Sequence, residues 1–356
     1  MMGAASHSAG LWTLAWRRLR ADRVAMGSLA VVAAFLLMLA LSATGLIVAD
    51  WEDEVGVNYA PPGFVAALSA GDRAENGAEN RADAATAAAA PALSSAGALP
   101  DNPFDPLVDD IRALKAQLAG APEQAAAGRR ATLPFGADKW GHDIIKKTIK
   151  GGETSIVVGL VAATLAVGIG TLFGALSGYW GGVVDDFFNW FYSIFTAIPS
   201  VLMILAVAAV LQQRGVTTMV LILGLTGWTG PYRLIRAEYI KHKAREYVMA
   251  ADAIGASHWR RMFSHIFPNV SHVALVQLSI LVVGFIKAEV ILSFLGFGVP
   301  VGVVSWGSML NEAQNELILG RWWQLTAAAI AMALLVTAFS LLTDALRDAL
   351  DPKVKS

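Results

Sequence analysis

The sequence predicts an all-α polytopic membrane protein: six transmembrane helices, a cytoplasmic helix pair and a long periplasmic loop. Three observations predict it. The chain of 356 residues is 56% hydrophobic and only 15% charged, too apolar for a soluble domain of this size. Its apolar residues gather into six stretches, near 24–48, 154–178, 191–211, 216–235, 270–295 and 323–345, each with the roughly 20 residues that cross a ~30 Å hydrocarbon core. Its basic residues fall on one side of that pattern. With the N-terminus inside, the inner segments hold Arg17, Arg18, Arg20, Arg23, Arg233, Arg236, Lys241, Lys243, Arg245, Arg260, Arg261, Arg347, Lys353 and Lys355, while the short outer loops hold Arg214 and Arg321. That asymmetry places both termini in the cytoplasm. Lys139, Lys146, Lys147 and Lys150 run against it, at the outer end of the second stretch.

Taken in order, residues 1–23 form a cytoplasmic N-terminal segment and 24–48 the first span. The apolar run exceeds the ~7–15 residues of a signal-peptide core, so a retained helix is expected. Residues 49–153 form a periplasmic insert, Ala-rich and poor in aliphatic bulk over 74–100, where too little apolar area exists to offset ordering entropy. A helix is expected over 105–120, with Asp105 as N-cap, Pro106 at its first position, Gly120 as its stop, and Leu107, Ile111, Leu114 and Leu118 on one stripe. Packing on the protein's own surface, contact with a soluble partner, and a place at the membrane surface are all open for it.

A five-helix core follows over 154–345, with a cytoplasmic tail over 346–356. In its first helix Gly170, Gly174, Gly178 and Gly182 recur every four residues, a smooth face that admits another helix closely. Pro199 and Pro231 lie in the third and fourth spans, where each either loosens the backbone as a hinge or leaves a static kink. Lys287 and Glu289 are ionisable groups inside the fifth span, which makes them candidates for the path or its gate. For Glu289 a structural hydrogen-bonding role is equally open. For Lys287 the options are pairing within the bundle, snorkelling, or a substrate-facing charge suited to an anionic solute or a peptide carboxylate.

Between the fourth and fifth spans lies AEYIKHKAREYVMAADAIGASHWRRMFSHIFP (237–268), a basic insert that no simple connection requires. Tyr247, Ala250, Ala251 and Ile254 share one helical face, and Gly255 suits a left-handed stop. Ser257 suits the N-cap of a second short helix with the stripe Trp259, Met262, Phe263 and Ile266, which Pro268 is expected to end. Small alanines at the apex leave room for a partner to close over the backbone.

These residues resemble the EAA loop of bacterial ABC-importer permeases, in which two alanines precede a glycine and a distal proline: here Ala250, Ala251, Gly255 and Pro268. Met249 stands where that family usually has Glu, and Phe267 where it has Leu. The resemblance runs over most of the chain and is to the C-type permeases of dipeptide and oligopeptide importers, a binding-protein-dependent transport family. It is carried in order by LAWRRLRADRVAMGSLAVV, FGADKWGHDIIKKTIKGGETSIVVG, GALSGYWGGVVDD, VILSFLGFGVP, SWGSMLNEA and DALRDALDP. Trp190 and Ser193 replace a common Arg and Asp, Val304 replaces a proline, and the outer loop is longer than usual. The resemblance implies a permease subunit in the inner (plasma) membrane that forms half of a path for peptides or a related small solute, such as a nickel chelate. It implies a second permease, a B-type paralogue, two ATPase subunits that carry the ATP and magnesium, and a periplasmic substrate-binding protein. One ATPase would grip the loop through Tyr247, Met249, Ala250, Ala251, Ile254, Gly255, Ala256 and Pro268.

Other chemistry finds little support. There is no GxxxxGK[ST] phosphate loop, so ATP hydrolysis is not expected of this chain, nor any cofactor of its own. Gly302, Ser305 and Gly307 are out of register for a hydrolase elbow. With no cysteine, thiolate chemistry is excluded, and the six histidines form no compact ligand set, His265 and His272 included. No catalytic residue, metal site or nucleic-acid partner is expected. A secondary transporter or channel would call for intramembrane charge relays or broken repeat helices, and would leave the helix pair at 237–268 unexplained.

Overall fold

A computed structural model describes residues 11–68, 128–211, 215–300 and 302–350. The Ala-rich stretch, the helix expected over 105–120, Arg214, Lys353 and Lys355 lie outside the described residues. The chain divides into two compact units, one formed by Asp50–Lys147 and the other by Met1–Ala49 with Thr148–Ser356.

The larger unit is built of helices. α1 (Leu11–Ala21) leads to α2 (Arg23–Ala43), and between them Asp22 caps α2 by accepting from the amides of Val24 and Ala25. α3 (Ile144–Trp180) has 37 residues, ten more at its start than the apolar reading gives. Its first turn is held by Asp143, whose side chain accepts from the Ile145 amide at 2.8 Å. The early turns are polar on the surface because their lysines are paired. Lys146 binds Asp50, Lys147 binds Asp138, and Lys150 binds Glu153 at 2.9 Å. Three of the four lysines that ran against the charge pattern are therefore neutralised locally.

The six expected spans arrive in three forms. α2, α3, α9 (His258–Phe294) and α11 (Trp323–Leu350) are each continuous, apolar and long enough to cross a membrane. The third expected span is a pair, α4 (Gly182–Thr196) and α5 (Ser200–Leu211), bent by 86° at Ala197–Pro199. The fourth is divided into α6 (Val216–Thr226) and α7 (Thr229–Lys243) at Gly227 and Trp228. By length and composition the described residues thus hold four spanning helices, or five with the bent pair as one, where six spans were expected with hinges or kinks allowed at Pro199 and Pro231. Periodic hydrophobicity reads straight through a break, because Gly and Pro at a joint do not lower a window average. α8 (Glu246–Ala253) and α10 (Trp306–Ile318) complete the unit.

α2 buries Ala25, Ser28, Val32, Phe35 and Ser42, a repeat of three and four residues that turns one stripe inward. Phe35 meets Trp306 edge to face, and Ser42 donates to Glu153 at 2.6 Å. The N-terminal segment is more than a basic lead. Leu19 and Ala25 pack with Ala349 and Leu350, so α1 closes against the last turn of α11, which runs five residues past the expected end of that span.

The smaller unit is organised by Asp138, which is fully buried. Its carboxylate accepts from the amides of Trp140 and His142, lies 2.9 Å from His142 Nδ1, and accepts from Lys147 Nζ at 2.7 Å. Burial pushes this carboxyl up. The Lys147 charge and the donated hydrogen bonds outweigh burial and hold it below the usual carboxylate range. A depressed carboxyl stabilises the fold above its unfolded value of about 3.9 and loses that contribution as pH falls through the lower folded value. Asp138→Ala strands Lys147, and breaking a buried pair costs about 3–5 kcal/mol. Hydrogen exchange at the Gly56 and Tyr59 amides, which bond to Gly141 and Asp138 carbonyls, should accelerate at least ~100-fold in this variant. In the unaltered protein the same loss should appear only in acid, below about pH 4. Unchanged exchange in Asp138→Ala would remove Asp138 as the organiser of this unit.

Candidate functional site

The 237–268 segment begins inside α7, whose last turn carries Lys241, His242 and Lys243 beside its free carbonyls. α8 follows and ends in a Schellman arrangement. The Gly255 amide donates to Asp252 at 2.9 Å and the Ala256 amide to Ala251 at 3.0 Å, with Gly255 at φ +80°. Ser257 then accepts from the Arg260 amide and starts α9. Sequence spacing therefore locates both the stop and the restart.

Pro268 does not end the second helix. α9 passes through it without interruption, by way of a π-helical turn at Arg261–Ile266. In that turn the Phe267 amide reaches Met262, one residue beyond an α-helical partner, and the Asn269 side-chain amide donates to the His265 carbonyl at 2.8 Å. The wider turn relieves the crowding that a proline ring otherwise imposes. The second member of the expected helix pair is thus the first turns of the fifth span, and the two form one continuous helix.

The expected docking face also divides differently. Val248 of α8 points into a core with Ala175, Tyr179, Ile235, Tyr239, Met262, Ile266 and Val270, and Ala251 is buried as well. Tyr239 closes the core by donating to the Met262 carbonyl at 3.2 Å, and burial, then the neighbouring Tyr247, pushes its hydroxyl up so that it stays a donor. Ala251 is therefore a packing residue rather than part of an outer face. Tyr247, Met249, Ala250, Ile254 and Gly255 are exposed, Ile254 at 84%. The second stripe splits likewise: Met262 and Ile266 are buried, whereas Trp259 and Phe263 stack outside with ring centroids 5.6 Å apart. An eight-residue helix on a curved surface buries a stripe only as wide as its neighbours, and spacing does not say which edge they take.

What holds this region to the bundle is the glycine face of α3. A Cβ placed on Gly170, Gly174 or Gly178 would stand 2.6, 2.8 and 2.6 Å from the carbonyl oxygens of Trp228, Tyr232 and Arg236. The two backbones touch over three turns, in matching steps of four residues. Gly182 does not share this face. α3 ends at Trp180, and Gly182 opens α4 at φ +51° with nothing within 4 Å of a Cβ there.

A second joint lies at the same end, and spacing alone does not reveal it. Arg236 Nε and Nη2 donate to Asp185 Oδ1 and Oδ2, each at 2.6 Å, a bidentate geometry of the stronger kind. Ser177 also donates to Asp185, and its oxygen lies 3.1 Å from Tyr232 Oη. This group ties α3, α4 and α7 together just before the chain enters α8. Arg236 had registered only as a positive charge, and Asp185 only inside GYWGGVVDD.

The path candidates separate. Pro231 is buried in the first turn of α7, where its missing N–H costs no helical bond. Pro199 is exposed at the 86° bend and begins α5 by accepting from the Met203 amide. Glu289 is fully buried. It accepts from Ser155 Oγ and Ser293 Oγ at 2.7 Å each, and Ser155 Oγ accepts from the Trp306 amide at 3.2 Å. That network links α3, α9 and α10. Lys287, two residues earlier, is exposed on the opposite side of α9. Among the described residues, no group of three or more His, Asp or Glu could hold a metal ion.

Comparison with known proteins gives these features a frame. The profile of the binding-protein-dependent transport system inner membrane component family matches residues 170–356, and that of the N-terminal transmembrane domain of oligopeptide transport permease C matches residues 10–62. The chain is 35% identical over 221 residues to a dipeptide transport system permease protein of Bacillus subtilis, covering 62% of this chain and 69% of the relative. It is 36% identical over 221 residues to an oligopeptide transport system permease protein of the same organism, covering 62% and 72%. An oligopeptide transport system permease protein of Haemophilus influenzae is 34% identical over 219 residues, covering 62% and 70%.

Proposed function

Because the chain belongs to the family of binding-protein-dependent transport system inner membrane components, and is thus a permease subunit of an importer rather than an enzyme, we propose that it carries peptides and is driven through the α8–α9 corner. The observation that carries the reading is an exposed apex, Tyr247, Met249, Ala250 and Ile254, fixed on a Schellman stop above a buried core. Such an apex offers a partner ATPase small and apolar contacts. A second permease completes the path, and a periplasmic binding protein delivers the peptide from the side opposite the corner. Both termini and the corner face the cytoplasm, in keeping with the charge asymmetry.

The geometry supports a definite route for the coupling. The fused helix α9 takes any displacement of the corner directly to Lys287 and Glu289, without a hinge at Pro268. The glycine contacts and the Arg236–Asp185 pair transmit the same displacement to α3 and α4. The ATPase drives the change only through contacts that differ between inward-open and outward-open states, since equal affinity shifts no equilibrium.

The reading is tested by reconstituting this chain with a second permease, the ATPase subunits and the binding protein in liposomes. ATP-dependent uptake of a labelled di- or tripeptide is expected. Uptake of a nickel chelate without peptide uptake would overturn the substrate assignment. Uptake without any ATPase subunit would overturn the importer mechanism.

A further inference from the structure

Lys287 stands on a side of α9 that the other described residues leave exposed, next to the buried Val283 and Val290. The buried side of the helix carries Val282, Phe285, Ile286, Glu289 and Ser293. The opposite side exposes Ile280, Lys287, Ile291 and Phe294, which share one face by the 3.6-residue repeat. Among the described residues Lys287 makes no hydrogen bond or ion pair. An ammonium in such a position is expensive in hydrocarbon.

Snorkelling offers poor relief. Lys287 lies seven residues, about 10 Å at ~1.5 Å per residue, from the C-terminal end of α9 at Phe294. The Cα–Cβ bond in a helix tilts toward the N-terminus. The side chain therefore starts toward the middle of the span, away from the nearer surface. This holds whichever way the chain crosses the membrane. The charge is relieved by water or by an anion on the uncovered face.

We infer that Lys287 lines the translocation path and meets the carboxylates of a peptide in transit. The inference rests on the peptide reading above. Every peptide with a free C-terminus brings a carboxylate whatever its side chains are, so one fixed cation serves many sequences. The lysine ammonium suits brief contact, since it is a point charge on a flexible stem and holds no planar bidentate geometry. A static partner on the second permease would instead neutralise the charge permanently.

The test is charge selectivity in the reconstituted complex. Uptake rates are measured for two tripeptides, Ala-Ala-Ala with a free C-terminus and Ala-Ala-Ala amide, with the unaltered chain and with Lys287→Met and Lys287→Arg. Dividing each variant's ratio by the unaltered ratio cancels any preference of the binding protein. Lys287→Met should lower the acid-to-amide ratio about tenfold, with Lys287→Arg restoring most of it and ATPase co-purification unchanged. An unchanged ratio in Lys287→Met overturns the inference in favour of a lipid-facing lysine. Loss of the second permease from purified Lys287→Met overturns it in favour of an ion pair between subunits. If the unaltered complex moves neither peptide, the substrate reading itself fails.

Discussion

Ala250→Arg should abolish substrate-stimulated ATP hydrolysis while the protein reaches the membrane in normal amount. Ala250 is exposed on α8, so a long side chain there disturbs nothing inside this chain. On the proposed docking, what it disturbs is a partner that closes over a small residue. A guanidinium introduced at such a contact is desolvated with no counter-charge provided, and truncating or blocking a central contact typically costs 2 kcal/mol or more. Coupling should fall at least about 30-fold, since about 1.4 kcal/mol is a factor of ten. Ile254→Arg should act alike, because Ile254 is 84% exposed and apolar. Ala251→Arg should differ in kind: Ala251 is buried, so that variant loses the protein itself. The readout is ATPase activity with and without loaded binding protein, beside membrane protein level and co-purified ATPase. Normal stimulation in Ala250→Arg would remove the corner as the docking element.

Gly174→Leu eliminates the folded protein. Its Cβ would lie 2.8 Å from the Tyr232 carbonyl oxygen and 3.0 Å from the Arg236 amide, both backbone atoms of a helix that cannot retreat alone. Moving α7 outward would also break the contacts at Gly170 and Gly178 and strain the Arg236–Asp185 pair. Overpacking that can relax costs about 1–3 kcal/mol. Here relaxation is blocked over three turns, and a cost near the whole stability of a domain, about 5–15 kcal/mol, is reached. Gly168 on the same helix provides the control, since nothing lies within 4 Å of a Cβ there. Gly168→Ala should assemble normally, and glycine replacement in an exposed helical position should even help slightly. Monodispersity in detergent and resistance to protease separate the two. Equal yields of monodisperse Gly174→Leu and Gly168→Ala would show that the α3–α7 contact is dispensable.

Much of this protein was legible before any coordinates. The all-helical membrane class follows from composition and apolar run length, because lipid leaves the backbone few other ways to satisfy its hydrogen bonds. The corner at Gly255 follows from local chemistry: a glycine where the chain must turn left-handed, then a serine able to cap. The glycine repeat at 170, 174 and 178 follows from a spacing whose physical purpose is close approach. Each of these signals is written within one or two turns of chain.

The rest needed partners distant in sequence. Gly182 shares the four-residue spacing but falls after the end of α3, and spacing does not mark where a helix stops. Pro268 reads as a terminator, yet a π turn carries the helix through it. Ala250 and Ala251 are neighbours with the same side chain, and only the folded chain decides that Ala251 is the buried one. Glu289 and Lys287 are both ionisable and two residues apart. Ser155, 134 positions away, claims the first, while among the described residues no hydrogen bond or ion pair claims the second. The sequence by itself determined the class, the corner and the smooth helix face, because those depend on residues that are near one another along the chain. Which charge is sealed, which alanine faces outward and which turn yields were decided by the tertiary structure, because burial is a property of the neighbours a side chain meets and not of the side chain itself.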